Sequence, residues 1–242
     1  REKIYAREGG YAPGAYLTPD SPYRKYFVFA DKRPEAWPDN KSYDGWWDND
    51  TLPKLNYEAS PELAEQILEV GEKWLKPPYQ VDGWRLDVAA DLGHSPDYNH
   101  SFWQRFRNRV KAVREDALIL AEHYGSPASW LNGREWDSVM NYDGFMEPVS
   151  WFLTGMEKHS DSRDTGLRGN GAHFWDKMSL AMAKLPEPSL HTAMNQLSNH
   201  DHSRFLTRTN GRVGRLAELG SAAAEEGVQL SVMRQAALML FT

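Results

Sequence analysis

The chain has 242 residues with 28 basic and 34 acidic side chains, a formal net charge of −6 and no cysteine. That balance argues against a nucleic-acid or anionic-membrane partner, which needs a basic excess, and the missing thiols exclude disulfides and thiolate sites. No run is long and apolar enough for a membrane-spanning helix, and "REKIYAREGG" lacks a signal-peptide core; neither feature fixes a compartment or an oligomeric state.

In chain order, residues 1–57 are rich in Pro, Gly, Asp, Asn and Tyr, with only short apolar runs such as "YFVFA". They read as loops with a short hairpin. "SPELAEQILEVGEKWLK" then predicts an amphipathic helix with Ser60 as N-cap, Pro61 at the first position and Leu63, Ile67, Val70 and Trp74 on one face. "VDGWRLDVAA" predicts a buried strand, "HSFWQRFRNRVKAVRED" a helix, "ALILAEH" a second strand and "DSVMNY" a short third. Residues 145–159 and 172–185 predict helices and "TAMNQLSNH" a fourth strand. "EEGVQLSVMRQAALMLF" predicts a last helix with a further strand at its end. Continuous apolar strands alternating with helices point to parallel βα units. No internal repeat or linker divides the chain, so the expectation is one α/β unit with a loop-rich N-terminal portion.

The 10 Trp, 11 Tyr and 9 Phe often sit beside Gly, Asp and Asn, as in "YDGWWDND" and "GREWDSVMNYDGF". Aromatics on polar loops suit ligands with apolar faces and hydroxyl edges, such as sugars; for any single one, ordinary core or loop packing is the commoner reading. The strand ends are more specific. "GWRLD" ends at Asp87, "LILAE" at Glu122 and "NQLSNHD" at Asp201. A parallel α/β barrel gathers its strand C-termini around one mouth, where three carboxylates far apart in sequence can converge. A glycosidic bond is cleaved by such a pair, one carboxylate attacking the anomeric carbon and one acid protonating the departing oxygen. Strand alternation puts Arg85 and Asp87 on one face, where the guanidinium keeps Asp87 ionised. Taken singly, Arg85–Asp87 also reads as a structural pair, Glu122 as a solvated strand end and "NHD" as a turn.

These segments resemble the α-amylase family of glycoside hydrolases. "GWRLD" is similar to the family's fourth-strand segment, "ILAEHYG" to the fifth and "LSNHD" to the seventh, with Arg204 matching its "HDxxR" extension. "LPKLN", with Trp46 and Trp47 before it, resembles the neopullulanase and cyclomaltodextrinase branch. The resemblance implies a partial (β/α)8 TIM barrel, about strands 4–7 with flanking helices over residues 58–242. Before it would come a loop-rich excursion after strand 3 over residues 1–57. It implies Asp87 as nucleophile, Glu122 as general acid/base and Asp201 as stabiliser of the transition state. Arg85 would orient Asp87, and His200, His123, Tyr124 and Trp47 would contact the sugar. The implied reaction is retaining cleavage of α-1,4 glucosidic bonds in maltodextrin, cyclodextrin or starch-derived chains, with α-1,6 cleavage left open as an alternative and the Asp87 and Glu122 carboxyls about 5–5.5 Å apart.

Three departures bear on these implications. Ala90 and Asp91 stand where relatives often carry Lys-His or Asn-Glu, and His123 and Tyr124 stand where an aliphatic residue and Trp are commoner. The family's Asp-x-x-x-Asn-His segment is absent, as are segments for strands 1, 2 and 8. The chain therefore reads as the middle of a longer enzyme, inactive in isolation. Transglycosylation with the same carboxylates, an amylase-like binding protein without catalysis, and a β-rich sugar-binding module are the other readings. No cofactor is expected. "WWDND" and "WPDN" offer oxygens for a structural Ca²⁺, but without calcium-loop spacing they read as turns. The eight His include no HExxH pair for zinc, and "GLRGNG" lacks the phosphate-loop Lys-Ser/Thr.

Overall fold

A computed structural model describes residues 14–16, 20–30, 43–49 and 51–242. "REKIYAREGG", "WPDN" and Asp50 lie outside the described residues, so the Ca²⁺ expectation falls largely there. The chain divides into two compact units: residues 1–82 with 88–117, and residues 83–87 with 118–242.

In the first unit the loop-rich segment is held by single antiparallel bridges, Phe27 to Leu55, Phe29 to Tyr43 and Gly45 to Pro53. "LPKLN" is therefore tied back to "YFVFA". Trp46 and Trp47 lie in one tight turn, with Trp47 in the left-handed region and 72% exposed. Two helices follow: α1, Pro61–Lys73, and α2, Pro96–Val113. Ser60 occupies the N-cap position of α1, but its hydroxyl donates to the Lys25 carbonyl at 2.6 Å and does not cap the helix. The buried stripe of α1 is Leu63, Ala64, Leu68 and Gly71, while Val70 and Trp74 are exposed. This corrects the expected stripe. Gly71 lets the Phe106 ring come so close that a Cβ there would lie 2.6 Å from it, so the face carrying Gly71 packs against α2. Arg109 pairs with both Glu65 and Glu72 across the two helices. At the start of α2, Ser95 caps through its hydroxyl, and Glu58 accepts from the His94 and Ser95 backbone amides.

The second unit contains a three-stranded parallel sheet of β1, Gly83–Leu86, β2, Leu118–Ala121, and β3, Ser138–Val139. The register pairs Leu86 with Ala121 and Ala121 with Val139. Gly83 permits the close approach of β1 to β2, because a Cβ there would run into the Leu118 backbone. Phe145, Val149, Leu153, Leu197, Phe205, Val232 and Ala236 form one apolar core; Leu120, Met140, Tyr142 and Met146 form another.

The expected fourth strand is reduced to one parallel bridge, Met140 to Met194, so Asp201 is delivered by a turn. The helix expected over 145–159 begins as a π-helical turn, Tyr142–Met146, and continues as α3, Glu147–Thr154. It stops at Gly155, whose positive φ of 69° ends the helical path. α4, Gly171–Met182, matches its expectation. α5, Leu230–Phe241, remains helical where a strand was expected, since its apolar residues keep helical spacing with Val232 and Ala236 inward.

Candidate active site

β1 is four residues long, and Asp87 is the first residue beyond it. The chain then turns sharply: Val88 has φ 41° and ψ 44°, a left-handed conformation that β-branched residues avoid. β2 delivers Glu122 in the same way, and the Glu122 amide donates to the Leu86 carbonyl at 2.9 Å. Since Leu86 pairs with Ala121, one further step sets Asp87 beside Glu122 on the same face.

Arg85 lies on that face too. Its Nη1 donates to Asp87 Oδ1, and its Nη2 is 3.2 Å from Glu122 Oε2. The second contact is an ion pair without directed hydrogen-bond geometry. Burial works against the Arg85 charge, but Asp87 and Glu122 more than offset it, and its pKa is raised. Sequence reasoning gave Arg85 one partner; the fold gives it two. The carboxylates differ in setting, with Asp87 75% exposed and Glu122 only 7% exposed. One is open to an incoming ring while the other is shielded from water.

Asp201 is partly exposed and pairs with His200 Nε2 at 3.5 Å; His200 itself is largely exposed. The Asp201 amide donates to Asn199 Oδ1 at 2.9 Å, a local turn that aims the segment. Tyr124 lies flat on Tyr142, with ring centroids 4.5 Å apart and planes 2° from parallel. Burial first, then the neighbouring Tyr142 hydroxyl, and after these the negative charges of Glu122 and Asp201 push the Tyr124 hydroxyl up and keep it protonated. His123 is engaged elsewhere, 3.3 Å from the Ser126 carbonyl, edge-on to Trp130 and tilted against Trp136. Trp47 belongs to the first unit. Arg204 Nη1 donates to the Asn199 carbonyl at 2.6 Å, which gives the "HDxxR" arginine a part in shaping the turn.

Sequence reasoning passed over Tyr142, Asn199 and His202. Tyr142 and Asn199 are joined at 3.0 Å, and His202 is buried against both. His200 and His202 flank Asp201 in the chain, but polar spacing alone does not show which histidine is buried. Burial, with Lys158, His159 and Arg208 nearby, pushes His202 down to about 4. Its charged form is therefore favoured in the unfolded chain. Stability carried by neutral His202 is complete above about pH 6.5 and is lost as pH falls towards 4, at most about 3 kcal/mol. Melting temperatures between pH 4 and 7 should fall more steeply for the parent than for His202→Asn; parallel curves would remove His202 as a source.

Among the described residues no group of three or more His, Asp or Glu is placed to hold a metal ion, and no helix is long and apolar enough to cross a membrane.

The family model for the α-amylase catalytic domain matches residues 5–230. A cyclomaltodextrinase of Thermoanaerobacter pseudethanolicus is 33% identical over 79% of this chain and 33% of its own length. Neopullulanase 2 of Thermoactinomyces vulgaris is 36% identical over 66% of this chain and 24% of its own. Among solved structures, a debranching enzyme from Nostoc punctiforme aligns with TM-score 0.66 and 32% identity over 81% of this chain and 40% of that one. A cyclic α-maltosyl-(1→6)-maltose hydrolase from Arthrobacter globiformis aligns with TM-score 0.63 and 29% identity, over 79% and 38%. The chain thus spans about a quarter to a third of the length of these two curated relatives. Its parallel strands ending in Asp87 and Glu122, followed by the Asp201 turn, lie within the matched span, and the chain belongs to the α-amylase family of glycoside hydrolases, carrying part of the catalytic domain.

Proposed function

We propose that the protein to which this chain belongs is a retaining α-glucan hydrolase. It cleaves α-1,4 glucosidic bonds in maltodextrin or cyclodextrin chains. In this reading residues 1–57 are the excursion after barrel strand 3, and β1, β2, β3 and the Met194 segment are strands 4–7. The observation that carries the reading is Arg85 in contact with both Asp87 and Glu122 from adjacent register positions. Neighbouring strands lie about 4.8 Å apart. That spacing suits the roughly 5–5.5 Å carboxyl separation of retaining enzymes better than the roughly 6.5–9.5 Å that leaves room for water in inverting ones.

Asp87, open and oriented by Arg85, attacks the anomeric carbon. The C–O bond to the departing chain breaks as Glu122 gives that oxygen its proton. A glycosyl ester on Asp87 results. Glu122, now a carboxylate, takes a proton from water, which displaces Asp87 at the same carbon, so two inversions give retention. Asp201 and His200 bind hydroxyls of the ring as it flattens, and Tyr124 offers its free face to a sugar.

The test is proton NMR of the first product released from cyclodextrin or maltotriose by the full-length protein. The α-anomer should form first and mutarotate later. A β-anomer first would exclude retention, and no release would exclude hydrolysis of these substrates.

A further inference from the structure

Four side chains beside the carboxylates form a closed ring of three hydrogen-bond contacts and one aromatic stack. The Asp201 backbone amide can only donate, so the oxygen it meets on Asn199 is the carbonyl Oδ1, at 2.9 Å. That fixes the amide orientation and leaves Asn199 Nδ2 donating to the Tyr142 hydroxyl at 3.0 Å. The same Oδ1 is 2.6 Å from His202 Nδ1, which must then carry a proton. In the neutral imidazole Nε2 becomes an acceptor. It is 3.5 Å from the Tyr124 hydroxyl, at the long limit of a hydrogen bond, and that hydroxyl shares its one proton between this nitrogen and the Tyr142 hydroxyl. Tyr124 stacked on Tyr142 closes the ring.

The ring is buttressed from behind. His159 stacks on His202 at 4.5 Å, and Ser203 Oγ donates to the His159 carbonyl at 2.7 Å. His202 faces His159, Lys158, Arg208 and Asp201 among charged or titratable groups, together with Tyr124 and Tyr142. Tyr124 is two residues from Glu122, and His202 is next to Asp201. The imidazole is therefore the one side chain of the ring that joins the segment following Glu122 to the segment carrying Asp201.

We propose that His202 is a positioning residue: by closing this ring it fixes Tyr124 as a stacking platform for a sugar ring and locks it to the Asp201 turn. The platform's role rests on the hydrolase reading above; the ring itself does not.

Two measurements on the full-length protein test it. Nitrogen-15 NMR of the histidine side chains should show His202 as the neutral Nδ1–H tautomer, and the Nε2 resonance should move in Tyr124→Phe. An Nε2–H tautomer, or an Nε2 resonance unmoved in Tyr124→Phe, overturns the ring whether or not the protein cleaves glucans. In kinetics, His202→Ala should raise KM for maltodextrin about tenfold with kcat changed much less, the pattern of lost binding. Tyr124→Phe should do the same. The double variant should be no worse than either single one, because both break the same link. His202→Gln, whose amide reaches the Nε2 position, should recover most of the KM, and His202→Asn should not. A lower melting temperature with unchanged KM, or additive effects, would leave His202 as packing only. If the parent releases no sugar from any α-glucan, the hydrolase reading fails, and the ring is judged by its tautomer alone.

Discussion

Glu122→Gln is expected to lower turnover of maltodextrin by about 10²–10⁴-fold, the range for loss of a general acid/base. Gln keeps the shape of the residue and its backbone bond to Leu86, so the fold around β2 should persist. The informative comparison is with α-glucosyl fluoride, whose leaving group departs with little need of a proton. Glu122→Gln should transfer the glucosyl group from the fluoride to Asp87 at close to the parent rate, measured as the burst of fluoride released. Asp87→Asn should fail on both substrates, with a loss of about 10⁴–10⁶-fold, as for other nucleophile deletions. Equal losses on both substrates for Glu122→Gln would remove it as the acid. Unchanged hydrolysis in Asp87→Asn would remove the covalent route.

Arg85→Ala carries the second large effect because one guanidinium serves two carboxylates. The Asp87 arm is mostly exposed and contributes little to stability. The Glu122 arm joins a shielded carboxylate to its counter-charge. Its loss should cost about 2 kcal/mol, reduced from the roughly 3–5 kcal/mol of fully buried pairs because Arg85 retains some exposure. Turnover should fall about 10²-fold or more, since a small misplacement of reacting groups is that costly. Arg85→Lys separates the two roles. A single ammonium restores much of the stability, but it lacks the planar fork that reaches Asp87 and Glu122 together, so kcat should stay low. Full recovery of kcat by Lys would show that charge alone matters there. Melting curves and steady-state kinetics on the same preparations decide this.

Much of the site was legible in the chain because strand geometry is local. "GWRLD" places Arg85 and Asp87 on one face by the two-residue alternation of any strand. The apolar runs before Asp87 and Glu122 specify parallel strands ending at acids, and both strands form where expected. Other readings failed for equally physical reasons. α1 buries Gly71 and leaves Val70 exposed, with Phe106, distant in sequence, packed into the space above Gly71. The Ser60 hydroxyl goes to Lys25 because a carbonyl 35 positions away is presented to it. The fourth strand shrinks to the Met140–Met194 bridge, and no periodicity in "TAMNQLSNH" marks that loss.

By itself the sequence determined the acids, their order and the family they resemble, since those depend on residue types at spacings set by backbone geometry. Only the tertiary structure decided that Arg85 meets both carboxylates, that Glu122 is shielded while Asp87 is open, and that His202 rather than His200 is buried. Burial and pairing depend on which distant segments pack together, and the stack of Tyr124 on Tyr142 joins residues whose nearness the local pattern of neither one encodes.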